Sequence, residues 1–536
     1  MSRKISIMVM IFLVAYTVVL AGCSQKSESA SNSETPAAST PAQTSASPES
    51  ATPEADDMSQ KVSIRLFEGG WVGTPTGDDD PIKKWIDQKF NVDFNLDHVH
   101  TGDMESLLLT QFSANQAPDL LYITDKNTLL KLYNQGVILD DWTSKFEGMP
   151  AVSKSITETS KKYLTLDGKM IAVPVPAQKS DWSLMIRKDW LANLGLAAPK
   201  NDQELLEVLR KFTKNDPDRN GKNDTWGISS NGGGKSLGVI KALSGMYGPD
   251  GFYLTADNKV SNSIIDGTHK KFLDLMRTIV KEKLIDPDWY TQSWEQKKPK
   301  VYSDKLGVDW YPPMALIGEG STYPGGSNAV ASKWVNIEFP KASETGGKRP
   351  PEDISNGFIT VSAQAAKDPV KMKRIQNILD SVFYPNEGYW ALRWGVGVPG
   401  IDNKMADMGN GFKYTSSGLD TVRQKNSGLY DWGTWIVTTD NVLSLEAAEP
   451  DDTIKMVMKM NSEIESQSSF PNVEGLLNLD PQLLSYLQRL QSEFDVKYIL
   501  EKENDYDAFQ KKWLSQGGQK LIDQATEQFT KMGMIK

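Results

Sequence analysis

Apolar residues recur along the body of the chain with two periods, one typical of strands and one typical of helices. Alternating or continuous apolar runs predict strands in the first part of the body, at 61–67, 92–96 and 119–124. Apolar positions at helical spacing predict the helices between and after them, at 81–90, 104–113 and 129–135. This order predicts a mostly parallel sheet with helices on both faces, whose ligands collect at the carboxyl ends of the strands.

The stretch 184–227 is the most informative part of the chain. It begins with an apolar strand, 184–186, and a short helix, 188–194, whose end Gly195 is placed to cap. Asn201 then precedes Glu204 by one helical turn, which predicts a capping box at the start of a second helix. Further along the chain, apolar patterns predict a strand at 357–362. They also predict helices at 268–283, at 369–384 and within 481–536.

The second helix of that stretch leads into a loop rich in oxygen-bearing side chains. Oxygen ligands on alternate residues, with a glycine at the sharp turn, are how a short loop wraps a hard cation, and Gly221 holds the turn position. Gly227 stands where an EF-hand has its bidentate glutamate, so the match is incomplete. A polar turn without metal is the alternative. The pattern favours Ca²⁺ as a structural cofactor, with the ligands Asp216, Asp218, Asn220, Lys222 through its carbonyl, and Asp224.

The N-terminus has the pattern of an export signal. Arg3 and Lys4 precede an apolar run, 5–20, that is too short for a good membrane span and ends in Leu20-Ala21-Gly22-Cys23. A lone cysteine is usually a small buried hydrophobe. After such a segment, however, Cys23 is predicted to be the lipidated first residue of the mature chain, because the sequence resembles a bacterial lipobox. The Ser, Thr, Ala and Pro-rich residues that follow predict a disordered tether.

Composition narrows the classes of partner. The chain has 536 residues and a net charge of −10, and this acidic balance argues against nucleic acid. Its length predicts two or more domains. With a single cysteine, disulfides play no part. His98 and His100 are the only close histidine pair and lack a further ligand for a zinc site, and no pair of carboxylates stands out as catalytic.

The segments APDLLYIT (117–124), DGKMIAVPVP (167–176) and IRKDWLANLGLAAPKNDQELLEVL (186–209) carry a family resemblance. They resemble the extracellular solute-binding lipoproteins of bacterial carbohydrate ABC importers, of the maltose-binding and alginate-oligosaccharide-binding kind. The loop NDPDRNGKND (215–224) is similar to the calcium loop of the alginate-oligosaccharide-binding members.

The resemblance implies an α/β fold with two lobes of the type II periplasmic-binding-protein kind, hinge crossovers and a ligand cleft. We expect crossovers near 174–180, 357–362 and 384–388. The implied segments are a signal peptide at 1–22, lipidated Cys23 and tether over 23–58, lobe 1 over 59–177 plus 357–385, and lobe 2 over 178–356 plus 386–536.

In a sugar-binding protein, aromatic rings suit the apolar faces of the sugar, and carboxylates and amides suit its hydroxyls. Several tryptophans lie in loop-like sequence rich in Gly, Pro or polar residues, although ordinary core packing is the alternative for each of them. Trp85, Trp190 and Trp513 lie on helical faces and are expected in the core. The predicted ligand-binding residues are Trp71, Asp125, Gln178, Trp182, Trp310, Trp394, Trp432 and Trp435.

The predicted function is that of a monomeric receptor, held by its lipid on the extracellular face of the cell membrane. It captures a carbohydrate, with an oligosaccharide favoured, and delivers it to the transmembrane subunits of an ABC permease without covalent chemistry. One alternative is a secreted polysaccharide-degrading enzyme on the same tether. Another is a ligand-sensing partner of a membrane sensor kinase.

Overall fold

The computed structural model describes residues 58–70, 77–177, 182–313, 315, 332–394, 432, 435 and 452–535. The predicted signal peptide, Cys23 and all of the tether except Met58 therefore lie outside the described residues. No helix among the residues that are described is both long and apolar enough to span a bilayer.

The strands and helices of the described residues are as follows. The strands are β1 Val62–Gly70, β2 Val92–His100, β3 Leu120–Ile123, β4 Thr165–Leu166, β5 Lys169–Met170, β6 Val173–Pro176, β7 Ser183–Arg187, β8 Trp226–Ile228, β9 Phe252–Leu254, β10 Val260–Asn262, β11 Leu306–Tyr311, β12 Trp334–Asn336 and β13 Ser355–Val361. The helices are α1 Pro81–Phe90, α2 Met104–Ser113, α3 Lys126–Asn134, α4 Pro150–Ser155, α5 Glu158–Leu164, α6 Lys188–Leu194, α7 Asp202–Lys214, α8 Ser263–Asp266, α9 Thr268–Lys281, α10 Trp294–Tyr302, α11 Pro369–Val382, α12 Glu387–Trp394, α13 Asp452–Ser466, α14 Pro481–Ile499, α15 Tyr506–Trp513 and α16 Gln519–Lys531.

The first lobe is built on a sheet of five strands in the order β2-β1-β3-β13-β6. β1 pairs in parallel with β2 and β3, whereas β13 runs antiparallel to β3 and β6. The strand–helix order from β1 to α3 confirms the predicted alternation, and helices cover a core of apolar strand residues. Asp80 begins α1 by accepting hydrogen bonds from the backbone of Ile82 and Lys83, with Pro81 at the first helical position.

The second lobe contains a sheet of four strands in the order β12-β7-β11-β8 and has its own apolar core. β7 is antiparallel to β11 and β12, whereas β8 is parallel to β11. Asn201 caps α7, as predicted, by accepting from the backbone N–H of Glu204 at 2.9 Å. The Glu204 carboxylate accepts from the N–H of Lys200 at 2.8 Å rather than from that of Asn201, which differs from a standard capping box.

The chain passes between the two sheets from β6 to β7 and from β12 back to β13. A third crossover was expected near 384–388, with lobe 2 resuming at 386. The structure instead places Tyr389, Ala391 and Leu392 of α12 in the first core, because the apolar face of α12 packs onto that lobe. Met460 of α13 packs against the second sheet, so α13 belongs with the second lobe.

Candidate ligand-binding site

Two adjoining cavities lie where the second lobe meets the passages between the sheets. The larger has a volume of about 430 Å³ and is lined by Trp182, Trp310 and residues of the segment 238–250, with Pro350, Pro351 and Phe470 closing one side. The smaller has a volume of about 300 Å³ and shares Asp250 and Pro351 with the larger. Cavities of this size suit a small organic ligand rather than a single ion.

The rings of Trp182 and Trp310 are supported from behind by other aromatic residues. Trp182 lies 5.3 Å from Trp294, whose ring stacks on Tyr311 at a centroid distance of 4.9 Å. Trp310 meets Phe339 edge to face at 5.9 Å. Both cavity tryptophans are half-buried, so each keeps exposed apolar surface while its position is fixed by its neighbours.

A buried ion pair lies behind these rings. Lys297 Nζ is 2.8 Å from both carboxylate oxygens of Asp309, and both side chains are fully buried. The ammonium also lies 4.5 Å from the ring centroid of Trp294. Burial raises the pKa of Asp309 to about 6, although the charge of Lys297 opposes this rise. Because strand side chains alternate in direction, Trp310 lies on the opposite face of β11 from Asp309, and there it lines the cavity.

Charged groups stand where the two cavities adjoin. Lys241 Nζ is 2.7 Å from Asp250, which also accepts a hydrogen bond from Ser263 Oγ at 3.2 Å. Burial disfavours ionisation of Asp250, but the charge of Lys241 outweighs it and lowers the pKa to about 2. Glu474 accepts from the backbone N–H of Phe252 at 2.7 Å, and burial raises the pKa of Glu474 to about 7. Ionised groups and a carboxyl that titrates near neutrality thus face the ligand space.

Arg349 joins the segments that pass between the lobes. Its buried guanidinium donates to the carbonyl of Trp182 at 3.1 Å and to the carbonyl of Ile464 at 3.2 Å. Its own backbone N–H donates to the carbonyl of Ser468 at 3.0 Å. Arg349 therefore fixes the backbone from which the Trp182 ring projects. The sequence analysis did not identify this role of Arg349.

The predicted ligand-binding residues have different positions in the structure. Trp182 and Trp310 line the same cavity, as the prediction requires. Asp125 is exposed, and its carboxylate accepts from the N–H and the hydroxyl of Thr128 at 2.7 and 2.8 Å, which makes it the N-cap of α3. Trp394 is the last residue of α12 rather than part of a loop. The predicted residues that lie outside the described ones are Trp71 and Gln178.

The remaining predicted pair, Trp432 and Trp435, is fully buried in the first core. Their ring centroids lie 6.0 and 6.4 Å from that of Phe94 on β2, the second in a stacked arrangement. The first sheet has a broad apolar face that large rings cover well. In the structure these tryptophans are packing residues, which corrects the expectation that they contact the ligand. No signal in their Gly-rich surroundings distinguishes them from Trp182 and Trp310.

The predicted calcium loop is closed by its own hydrogen bonds. Both carboxylate oxygens of Asp216 accept backbone N–H groups, from Asn220 at 3.0 Å and Gly221 at 2.9 Å. The Asn220 amide donates to Asp218 at 2.8 Å and to Asp224 at 3.1 Å. Burial and the neighbouring Asp216 raise the pKa of Asp218. The loop therefore gathers carboxylates that repel one another.

The donor chemistry of this loop suits a hard cation, because a bound cation would relieve that repulsion. Among the described residues, no three Asp, Glu, His or Cys side chains stand in a coordinating arrangement, and Lys305 Nζ instead pairs with Asp224 at 2.5 Å. The structure also explains why Gly227 replaces the usual glutamate. A Cβ there would lie 2.9 Å from the backbone and side chain of Leu209 on α7, so the close packing of that helix excludes a ligand side chain.

Comparison with known proteins agrees with this architecture. Residues 73–371 match the family described as bacterial extracellular solute-binding protein. The polygalacturonan/rhamnogalacturonan-binding protein YtcQ of Bacillus subtilis is 22% identical over 467 residues, which are 83% of this chain and 87% of YtcQ.

Two solved structures extend the comparison to the fold. The Streptococcus pneumoniae substrate-binding protein FusA in complex with kestose has a TM-score of 0.65 at 17% identity, covering 88% of this chain and 99% of FusA. The alginate-binding protein AlgQ2 without calcium ion has a TM-score of 0.63 at 17% identity, covering 88% and 99% of the two chains. These matches confirm the two-lobe α/β fold of type II periplasmic binding proteins. With more than half of its length matched by the family, the chain belongs to the bacterial extracellular solute-binding proteins.

Proposed function

We propose that this solute-binding protein captures an oligosaccharide and delivers it to the transmembrane subunits of an ABC permease. The observation that carries the proposal is the pairing of Trp182 and Trp310 on one cavity, next to the charged pair Lys241 and Asp250. Aromatic faces bind the CH-rich faces of sugar rings, and charged groups bind their hydroxyls. The sugar-binding relatives YtcQ and FusA support the same ligand class.

Capture follows from the arrangement of two lobes joined by crossing segments. The lobes already touch, since Asp103 before α2 lies 3.6 Å from Lys235 of the second lobe. A ligand that contacts both lobes stabilises the closed arrangement, because only that arrangement offers all of its contacts. Binding and release need no bond to be made or broken, so the protein acts as a receptor rather than as an enzyme.

The anchor and the calcium loop belong to the same proposal. Cys23, carrying diacylglycerol and an acyl chain, would hold a monomer on the extracellular face of the cell membrane. Ca²⁺, held by Asp216, Asp218, Asn220, Asp224 and the Lys222 carbonyl, would neutralise the carboxylates at the end of α7 and have a structural role. AlgQ2, a relative whose structure is described as lacking calcium ion, supports a link between this fold and calcium.

Calorimetry with defined oligosaccharides tests the proposal. We would titrate kestose, nystose, and oligomers of galacturonan, rhamnogalacturonan and alginate, and analyse the mixtures for products. For a sugar that binds, Trp182→Ala and Trp310→Ala should each weaken binding about tenfold or more, or ~1.4 kcal/mol. Trp85→Ala, which alters a half-buried ring of the first lobe, should leave affinity unchanged. Unchanged affinity in both cavity variants, or cleavage of the sugar, would refute the proposal.

A further inference from the structure

The two lobes meet where α3 of the first lobe packs against α14 of the second and Lys126 reaches the turn before α14. Lys126, the first residue of α3, donates from Nζ to the carbonyls of Gly475 at 3.0 Å and Leu477 at 3.1 Å. The next residue, Asn127, donates to Ser485 Oγ at 2.6 Å. Side chains in the first turn of α3 thus bind two backbone carbonyls and one side chain of the second lobe.

The side-chain amine of Lys126 sits in a site built from both lobes, and burial there lowers its pKa to about 7. The Tyr163 ring of the first lobe lies 4.1 Å from Nζ, and the two carbonyls come from the second lobe. No carboxylate of the described residues lies within ion-pair distance of Nζ. Lys131, on the same helix, instead pairs with Glu105 inside the first lobe at 2.5 Å. Backbone carbonyls and a ring face suit a cation held at a fixed position, because both are oriented before it arrives.

The segment that Lys126 holds also forms an edge of the ligand space. Glu474 and Gly475 line the smaller cavity, and Glu474 is bonded on that side to the N–H of Phe252 at 2.7 Å. Contact there is close, since a Cβ on Gly251 would lie 1.9 Å from the Glu474 carboxylate. Glu474–Leu476 forms a single 3₁₀ turn, and the Leu477 N–H donates to the Glu474 carbonyl at 2.9 Å. This short turn is held from both sides.

We propose that Lys126 is a positioning residue that reaches from the first lobe and fixes the turn 474–477 at the edge of the ligand cavity. Opening of the lobes would withdraw the ammonium from its carbonyl acceptors and leave the turn held only by the second lobe. The turn 474–477 is therefore fixed in the conformation that lines the cavity only when the lobes are closed. The predicted effect of Lys126 on ligand affinity rests on the proposed function. Its predicted effect on the turn 474–477 can be tested without any ligand.

Hydrogen–deuterium exchange on the complete, ligand-free protein tests the proposal directly, at a pH below the lowered pKa of Lys126, about 7, so that its amine is protonated. Lys126→Met keeps the length of the side chain and removes the cation. We expect exchange of the amides at 476 and 477 to rise about tenfold, as loss of interactions of hydrogen-bond strength implies, while β1 amides stay protected. Lys131→Met on the same helix is the matched control and should leave the turn unchanged. Lys126→Arg keeps the cation and should restore protection, which a residue that only fills space would not require.

Two outcomes would overturn the proposal. One is unchanged exchange at 476 and 477 in Lys126→Met, and the other is equal loss of protection in Lys126→Arg and Lys126→Met. If Lys126→Met loses β1 protection as well, Lys126→Gln serves as the second variant, with the same expected result. A separate experiment measures the affinity of each variant for a sugar that calorimetry has shown to bind. A weaker affinity in Lys126→Met but not in Lys131→Met supports the link to the ligand, whereas a failure of every sugar to bind would leave the exchange result intact and count against the proposed function alone.

Discussion

Four tryptophans from similar sequence surroundings have opposite roles in the two lobes. In the first lobe, Trp432 and Trp435 are fully buried against Phe94 and belong to the core. In the second lobe, Trp182 and Trp310 are half-buried and line a cavity. All four come from sequence rich in Gly, Pro or polar residues, so composition around a tryptophan does not decide its role. The surface that lies behind the ring decides it.

In the second lobe that surface is built around charge. Lys297 and Asp309 are paired in the interior, and the aromatic rings of Trp294 and Tyr311 lie between this pair and the cavity. Because a strand presents alternate residues to opposite faces, Trp310 lies on the face of β11 opposite to Asp309. In the first lobe the corresponding surface is an apolar sheet face, which favours complete burial of a large ring. The comparison predicts different costs when each part is altered.

Removal of a first-lobe ring should have the largest effect on stability. Trp435→Ala deletes a fully buried ring and should lower the free energy of unfolding by about 3–5 kcal/mol, through lost burial and the cavity left behind. Trp310→Ala, in the second lobe, should cost much less, because part of that ring already faces the cavity. Urea denaturation of both variants measures the difference. Equal losses would remove the distinction between the lobes.

Breaking the buried pair of the second lobe should cost a similar amount. Lys297→Met leaves the Asp309 carboxylate buried without its counter-ion, so we expect a loss of about 3–5 kcal/mol. The double variant Lys297→Met/Asp309→Leu removes both charges and should recover much of that loss. Denaturation of the single and double variants gives the coupling between the residues. A double variant that is less stable than Lys297→Met would show that the unpaired Asp309 carboxylate does not cause the loss.

Much of the fold follows from local sequence, because its local and tertiary preferences agree. The strands and helices of the first part, from β1 to α3, appear within a few residues of their predicted positions, and Asn201 caps α7. The expected extent of lobe 1 was too short, because the family resemblance implied a crossover near 384–388, just after α11. The local sequence pattern of α12 does not indicate in which of the two apolar cores Tyr389 is buried.

The candidate site was predictable only in part, for a related reason. Trp182 and Trp310 could be selected because aromatic rings suit sugar faces. The charged residues of the site could not be selected, since lone charged residues are usually solvated; they are Lys241, Asp250 and Glu474. Their role depends on three segments that are far apart in sequence and adjoin in space. Asp125 follows a strand, a position that suits a ligand contact and also a helix cap, and the structure shows it as the cap of α3.

Bound calcium should stabilise the second lobe and leave the first lobe unchanged. If the loop at Asp216 binds Ca²⁺, a concentration of 100 Kd should stabilise the protein by about 2.7 kcal/mol. Thermal unfolding in EGTA and in Ca²⁺ measures the shift, and Asp216→Asn should abolish most of it. Hydrogen exchange should place the added protection at the end of α7 rather than in β1. No change in melting between EGTA and millimolar Ca²⁺ would remove calcium from the proposal.

The last expected effect is a pH dependence of stability that arises from Glu474 in the second lobe. Burial raises the folded-state pKa of Glu474 from 4.5 to about 7, so the folded protein retains a proton that the unfolded chain loses between these values. Its contribution to stability is therefore fully present below pH 4.5 and is lost as the pH rises through about 7. Glu474→Gln removes this titration, so the stability of the variant relative to the parent protein should increase across that window.

The comparison with the parent protein isolates Glu474 from its charged neighbours. Lys241, Asp250, His269 and Asp353 are present in both proteins, so their own titrations cancel in the difference as long as their pKa values are unchanged. Glu158→Gln, at an exposed carboxyl of the first lobe whose pKa Lys161 lowers, should show no such increase between pH 5 and about 7. Denaturation at several pH values measures both differences. A flat difference for Glu474→Gln would mean that its carboxyl is solvated, and the cavity edge would then carry a full negative charge at neutral pH.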